Sequence, residues 1–199
     1  VKLGQKTIWF NVAYGGSMLS EYLHLACLFG SKCNILLGSC GALQKGMDDM
    51  DVILPKSAFG DESSTRMYDR RNTSKIHLCD HELHQQFFNK LKSSNGFFGK
   101  IHTGRVITCQ AMLAESADDV IRWSEEQHLG VNYVGVDMET STLFAVSKHF
   151  QVPAVSILHV SDNLINGEKV GDDSHRKKKE LRTELRAKLY QLALKKLLE

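Results

Sequence analysis

The chain has 199 residues, 42% of them hydrophobic and 24% charged, which suits one domain with a core and excludes collagen-like, coiled-coil and disordered chains. Lysine plus arginine number 25 against 23 acidic residues, a net charge of +2, so nothing electrostatic calls for a nucleic-acid or membrane-surface partner. No apolar stretch is long enough to span a bilayer, and Val1-Lys2-Leu3-Gly4 does not read as a signal peptide.

Strand-like and helix-like segments alternate along the chain. Ile8 to Tyr14 is rich in β-formers and ends at Gly15-Gly16, which predicts a strand. Met18, Tyr22, Leu25, Ala26 and Phe29 follow at helical spacing, with Gly30 as the stop. Asn34 to Leu37 is a short apolar strand running into Gly38-Ser39-Cys40-Gly41. Asp51 to Leu54 is another, with Pro55 at its end. The polar stretch from Ser57 to Lys75 reads as a long loop. Leu83, Phe87 and Leu91 predict a helix reaching Ser93-Ser94-Asn95-Gly96, and Lys100 to Thr108 a strand. Ser116 is a good N-cap for a helix carrying Val120, Trp123 and His128 and stopping at Gly130. Val131 to Val136 then predicts a strand, Thr140 to Phe150 a helix, and Ala154 to Val160 a strand apolar enough to be buried on both faces. Arg176-Lys177-Lys178-Lys179 reads as a solvated helix start. Leu181, Leu185, Leu189 and Leu192 mark one face of the C-terminal helix. The pattern predicts an α/β protein around a parallel or mixed sheet.

Five cysteines, Cys27, Cys33, Cys40, Cys79 and Cys109, lie in or beside apolar runs, and no Cys-x-x-Cys pair occurs. The expectation is reduced thiols packed as small hydrophobes, in a cytoplasmic setting. His81-Glu82-Leu83-His84 lacks the i, i+4 histidine pair of the zinc protease motif, and it reads as ordinary helix.

Ligands of α/β sheets gather at the carboxyl ends of strands, and four strand ends carry polar or small groups there. Gly38-Ser39-Cys40-Gly41-Ala42 lets backbone N–H groups and a hydroxyl approach an anion, and it is equally compatible with a plain tight turn. Without a Gly-Lys-Ser/Thr ending it is not a P-loop. In Val136-Asp137-Met138-Glu139-Thr140, Asp137 or Thr140 can simply cap a helix, and Glu139 can simply favour its positive end. In Val160-Ser161-Asp162-Asn163, Asp162 is either an N-cap or a carboxyl group in a partly apolar pocket, where desolvation favours its protonated form. Thr108-Cys109-Gln110-Ala111-Met112-Leu113 can floor a pocket or belong to the core.

Taken together and in this order, the four segments resemble the nucleoside phosphorylase superfamily, of the purine nucleoside and uridine phosphorylase type. The resemblance runs from about Ile8 to Asn163. It implies a central mixed, partly barrel-like sheet surrounded by helices, and cleavage of the N-glycosidic bond of nucleosides by phosphate or by water. It also implies roles. Asp162 is the acid that serves N7 of a purine leaving group. Glu139 accepts hydrogen bonds from the ribose hydroxyls, and Met138 packs on the ribose. Met112, standing where many relatives place an aromatic, and Ser161 belong to the base side. Ser39 is a phosphate-binding hydroxyl. Asp162 favours a purine, since uracil has no N7 to protonate.

The resemblance implies a nucleoside and phosphate as small-molecule partners, a homo-oligomer, and no metal or organic cofactor. The chain departs from the pattern in two places. Leu36 stands where an arginine usually precedes the serine by three residues. The glycine-and-arginine segment that also grips phosphate has no counterpart, so residues 1–199 are expected to form a single domain lacking the family's N-terminal segment. Arg66, Arg70, Arg71, Arg105 and Arg176 are candidates to replace the missing cation. Three functions follow in order of preference: phosphorolysis to free base and ribose 1-phosphate, hydrolysis by a nucleosidase of the same fold, and nucleoside binding or storage without turnover.

Overall fold

The computed structural model of the protein describes residues 1–94, 99–125, 127–128, 131–167 and 178–198. A small ribbon, β1 (Lys2–Leu3) and β2 (Lys6–Thr7), precedes α1 (Gly16–Leu28), β3 (Asn34–Ala42), β4 (Val52–Phe59), α2 (Ser63–Tyr68) and β5 (Ile76–Leu78). Then come α3 (His81–Ser93), β6 (Ile101–Thr108), α4 (Ala117–Glu125), β7 (Gln127–His128), β8 (Val131–Asp137), α5 (Thr140–His149), β9 (Ala154–Asn163) and α6 (Lys179–Leu198).

Five strands run in the order β3-β9-β4-β6-β8, and β8 pairs back onto β3. The sheet is therefore a closed, mixed barrel. β3 and β9 are parallel, as are β4 with β6 and β6 with β8, while β4–β9 and β3–β8 are antiparallel. Closure demands close approach where β3 meets β8. A Cβ on Gly135 would lie 2.9 Å from Ile53 Cδ1 and 3.1 Å from the Gly41 carbonyl, so the tight crossing requires glycine there.

Both faces of the strands are covered. Ile53, Leu158 and Val160 pack with Leu19 and Leu23 of α1 and Leu143, Phe144 and Val146 of α5. The alternate residues Val52, Leu54, Val155 and Ile157 pack against Leu83, Phe87 and Leu91 of α3 and Leu185 and Leu189 of α6. A third cluster joins Leu43, Ile107, Tyr133 and Val136 to Trp123 of α4. Strands buried on both sides cannot alternate apolar with polar, which explains the continuous apolar run in β9.

Several expectations are corrected. Ile8 to Tyr14 forms no strand; Trp9, Phe10 and Val12 are exposed. β-propensity alone does not make a strand, and among the described residues no strand forms a ladder with this segment. Gly38-Ser39-Cys40-Gly41 is not a tight turn but the second half of β3, with a register shift between Cys40 and Gly41. β4 continues past Pro55, because the irregularity between Pro55 and Ser57 accommodates a residue without an N–H. The expected loop from Ser57 to Lys75 contains the end of β4 and the whole of α2. His128 belongs to β7, paired with Val131, rather than to the preceding helix. Helix α4 does start at Ser116, whose hydroxyl accepts from Asp119 N at 3.1 Å while Asp119 Oδ2 accepts from Ser116 N at 3.1 Å. The stops at Asn95-Gly96 and Gly130 and the residues Arg176-Lys177 lie outside the described residues.

The C-terminal helix keeps most of its leucine pattern: Leu185 and Leu189 are buried, and Leu192 packs against the same cluster. Leu181 is exposed, and the buried face is Arg182, Leu185, Leu189 and Ala193. Arg182 is buried because Asp49 is buried opposite it. Arg182 Nη1 donates to Asp49 Oδ2 at 3.2 Å, and Lys178 Nζ donates to Asp49 Oδ1 at 2.6 Å. All five cysteines are free, with Cys27 and Cys40 buried. Among the described residues, no helix is long and apolar enough to cross a membrane.

Removing Asp49 takes from the buried Arg182 and from Lys178 the carboxylate they share. Asp49→Ala is expected to destabilise the protein by roughly 3–5 kcal/mol, and Asp49→Leu combined with Arg182→Leu by much less. Chemical denaturation of the three proteins measures this; equal losses for the single and double variants would show that the pair does not anchor α6.

Candidate active site

Barrel closure brings the carboxyl-terminal parts of β3, β8 and β9 together. Gly41 pairs with Val136 on one side and with Asp162 on the other. A cleft of about 1500 Å³ opens there. Its lining includes all six candidate residues: Ser39, Met112, Met138, Glu139, Ser161 and Asp162.

Asp137 and Glu139 separate into different roles. Asp137 is buried; its carboxylate accepts from the Thr140 backbone N–H at 2.8 Å, from the Thr140 hydroxyl, and from the Thr108 hydroxyl at 2.9 Å. It ties the first turn of α5 to β6. Burial raises its pKa to about 7, against the opposing pull of the Thr140 and Thr108 hydrogen bonds. Glu139 is half-buried and faces the cleft. Its Oε1 accepts from Gly15 N at 2.6 Å. Burial raises its pKa, and the backbone N–H groups of Gly15 and Met138 oppose the rise.

Gly15 adopts φ 81°, ψ 158°, a conformation open to glycine, and so turns its N–H onto Glu139. The next N–H, of Gly16, donates to Gln110 Oε1 at 2.9 Å, and Gln110 Nε2 donates to the Met138 carbonyl at 2.8 Å. Gly15 and Gly16 marked only a strand end and helix start in the sequence. In the fold they position Glu139. Behind them, Glu62 Oε1 accepts from the hydroxyls of Ser141 at 3.0 Å and Thr142 at 2.8 Å.

Asp162 is buried in the continuation of β9, past the expected strand end at Val160. The Ser161 hydroxyl lies 2.5 Å from Asp162 Oδ1 and 3.1 Å from the Cys40 carbonyl oxygen. Met112 sits in a short 3₁₀ turn after β6, with the exposed Leu113 beside it on the cleft wall.

Glu115, Arg182 and Arg186 are among the cleft residues that the sequence reading missed. Glu115 has its pKa raised to about 7 by burial first and then by the negative charges of Asp162 and Asp119. Arg182 and Arg186 reach the cleft from α6. The cations proposed to replace arginine at position 36 lie elsewhere. Arg66 pairs with Asp61 at 2.5 Å, Arg70 Nη2 donates to Met67 Sδ, and Arg105 is buried, with Nε donating to Ser57 Oγ at 3.2 Å. These three and the exposed Arg71 do not line the cleft, and Arg176 lies outside the described residues. Leu36 does line it. Helical spacing on α6 displayed the leucines, and nothing local showed that Arg186 would face a strand end of β3.

The His81–His84 segment is helix, as expected. His84 is buried, with its Nε2 3.1 Å from the Leu54 carbonyl oxygen that accepts from it. Among the described residues no group of three or more histidine, cysteine, aspartate or glutamate side chains is arranged to hold a metal ion.

Residues 15–199 match the family model described as the phosphorylase superfamily. The chain belongs to that superfamily. A purine nucleoside phosphorylase DeoD-type 2 of Vibrio vulnificus (strain YJ016) is 29% identical over 158 residues, 78% of this chain and 63% of the relative. The chain thus spans less than two thirds of that relative's length. The fold matches uridine phosphorylase from Vibrio fischeri ES114 with a TM-score of 0.76 at 20% identity, over 92% of this chain and 70% of the other. It also matches AMP nucleosidase from Bacteroides thetaiotaomicron VPI-5482 with a TM-score of 0.61 at 20% identity, over 89% and 69%. The expected superfamily and the mixed, barrel-like sheet within surrounding helices are both found.

The protonation of Asp137 sets a pH dependence of stability. Folding raises its pKa from 3.8 to about 7, so between these values the folded state holds a proton that the unfolded chain has lost. Its stabilising contribution is complete below about pH 4 and is lost as pH rises through about 7. Thermal melts from pH 5 to 8 should show Asp137→Asn losing less stability with rising pH than the parent; parallel curves would mean that Asp137 is ionised throughout.

Proposed function

We propose that the protein cleaves the N-glycosidic bond of purine nucleosides, with phosphate as the nucleophile, releasing free base and ribose 1-phosphate. The observation that carries this reading is that Asp162, Glu139 and Ser39, from three separate strand ends, share one cleft. The name of the Vibrio vulnificus relative points the same way. Residues 1–199 are taken as one phosphorylase-like domain working in the cytoplasm as a homo-oligomer, without a metal or organic cofactor.

Cleavage leaves negative charge on the base and builds positive charge on the sugar. Asp162 is assigned to the base side, where a proton given to N7 lowers the barrier to departure. Ser161 supports that role. Its hydroxyl stands 2.5 Å from Asp162 Oδ1 and 3.1 Å from the Cys40 carbonyl oxygen, which fixes the carboxyl group at the cleft wall. Glu139 is assigned to the ribose hydroxyls. Its anion, fixed by Gly15 N, interacts more strongly with the transition state than with the neutral substrate. Met138 packs on the ribose, Met112 against the base, and Ser39 binds phosphate.

A hydrolytic nucleosidase is the second reading, and Leu36 favours it. An apolar side chain lines the cleft where the family pattern has a guanidinium, which removes a charge-assisted anion contact. The sugar product decides between the two. With a purine nucleoside, phosphate-dependent formation of ribose 1-phosphate is expected; free ribose at equal rates with and without phosphate would establish hydrolysis, and no cleavage at all a binding protein.

Two variants test the roles. Asp162→Asn should keep nucleoside binding and lose roughly 10²–10⁴-fold in turnover, since an amide cannot supply the proton. Turnover near that of the parent would remove Asp162 from the chemistry. Glu139→Gln should lower kcat more than it raises KM; a change in KM alone would make Glu139 a simple binding group.

A further inference from the structure

At the Ser39 end of the cleft lies a smaller concavity of about 160 Å³. Its polar lining consists of the exposed Ser39, the Gly38 backbone, His159 from β9, and Arg186 and Tyr190 one turn apart on α6. Among the described residues no carboxylate lines it. That contrasts with the main cleft, where Glu115, Asp137, Glu139 and Asp162 are all present. Arg186 also lines the main cleft, so the concavity is a recess of the candidate active site rather than a separate surface feature.

The guanidinium of Arg186 is uncommitted to any acid. Its Nε donates to the Arg182 carbonyl at 3.3 Å and its Nη2 to the Thr183 hydroxyl at 3.2 Å, both on its own helix. Among the described residues no carboxylate pairs with it. The other cleft arginine differs, since Arg182 is bound to Asp49. His159 is held in place because its Nδ1 donates to the Gly38 carbonyl at 2.7 Å, leaving Nε2 as its second polar atom. A hydroxyl from Ser39, a phenol from Tyr190 and an acid-free guanidinium thus surround a small recess. This donor set suits a tetrahedral oxyanion and repels no part of it.

We propose that this recess is the phosphate subsite of the cleft and that Arg186, from α6, is its cation. The proposal rests on the phosphorolysis reading and adds to it. Leu36 leaves β3 without a charge beside Ser39, and α6 brings one from the far end of the chain. The subsite takes inorganic phosphate. The same phosphoryl chemistry also exists on a nucleoside 5′-monophosphate, and the two sources are separated by the test.

Binding of inorganic phosphate alone, of a purine nucleoside alone and of a purine nucleoside 5′-monophosphate alone is measured calorimetrically for the parent, Arg186→Ala and Arg186→Lys. Arg186→Ala should weaken inorganic phosphate roughly 10–100-fold, the scale of one charge-assisted contact, and leave nucleoside affinity unchanged. Arg186→Lys should recover part of the loss, because it keeps the charge without the planar fork. Circular dichroism melts confirm folding, which the loss of two intrahelical bonds does not threaten. Phosphate affinity unchanged in Arg186→Ala overturns the proposal. If ribose 1-phosphate remains the product in that case, phosphorolysis stands with another cation. Weakened 5′-monophosphate binding with inorganic phosphate unaffected also overturns it, assigning the recess to a substrate phosphoryl group. A parent that binds no phosphate and releases free ribose overturns both proposals.

Discussion

Closure of the sheet through β3 and β8 is the constraint on which the rest depends. Two residue pairs, Gly41 with Val136 and Ala42 with Gly135, join the strands that would otherwise be edges. Glycine at 41 and 135 permits that approach. Once the ring is closed, the ends of β3, β8 and β9 converge, and the groups they carry share one cleft.

The cleft concentrates acids, and the fold gives each a distinct environment. Asp137 is enclosed and bonded to groups that hold α5 in place. Glu139, two residues later, turns the other way and meets the Gly15 N–H. Asp162 lies against the Ser161 hydroxyl, and its charge raises the Glu115 pKa. Burial first, and then neighbouring negative charge, raises the pKa of Asp137 and of Glu115 to about 7. Positive charge reaches the cleft from Lys45 and from α6, where the Arg182–Asp49 pair fixes the helix and Arg186 lies one turn further on.

Much of this was legible before the fold was known. The alternation of strands and helices, the doubly buried character of Ala154 to Val160 and the Ser116 cap are local properties, set by side-chain shape and burial preference. The candidate residues at the four strand ends were singled out by the resemblance to the superfamily; locally each was equally compatible with a turn, a helix cap or core. What could not be read locally was continuation. β3 runs through Gly38-Ser39-Cys40-Gly41 and β4 through Pro55 because neighbouring strands supply hydrogen bonds and irregularities that absorb weak strand formers.

The amino-acid sequence by itself determined the class of fold and the order of most of its elements. These depend on periodicity and residue chemistry within short windows. Tertiary structure alone decided which groups meet. Gly15 reaches Glu139 across 124 positions, and Asp49 reaches Arg182 across 133. Arg186 lines the same recess as Ser39, from a helix whose pattern displayed only leucines. Such pairings arise from the closure of the barrel and the docking of α6, long-range contacts that leave no trace in the spacing of neighbouring residues.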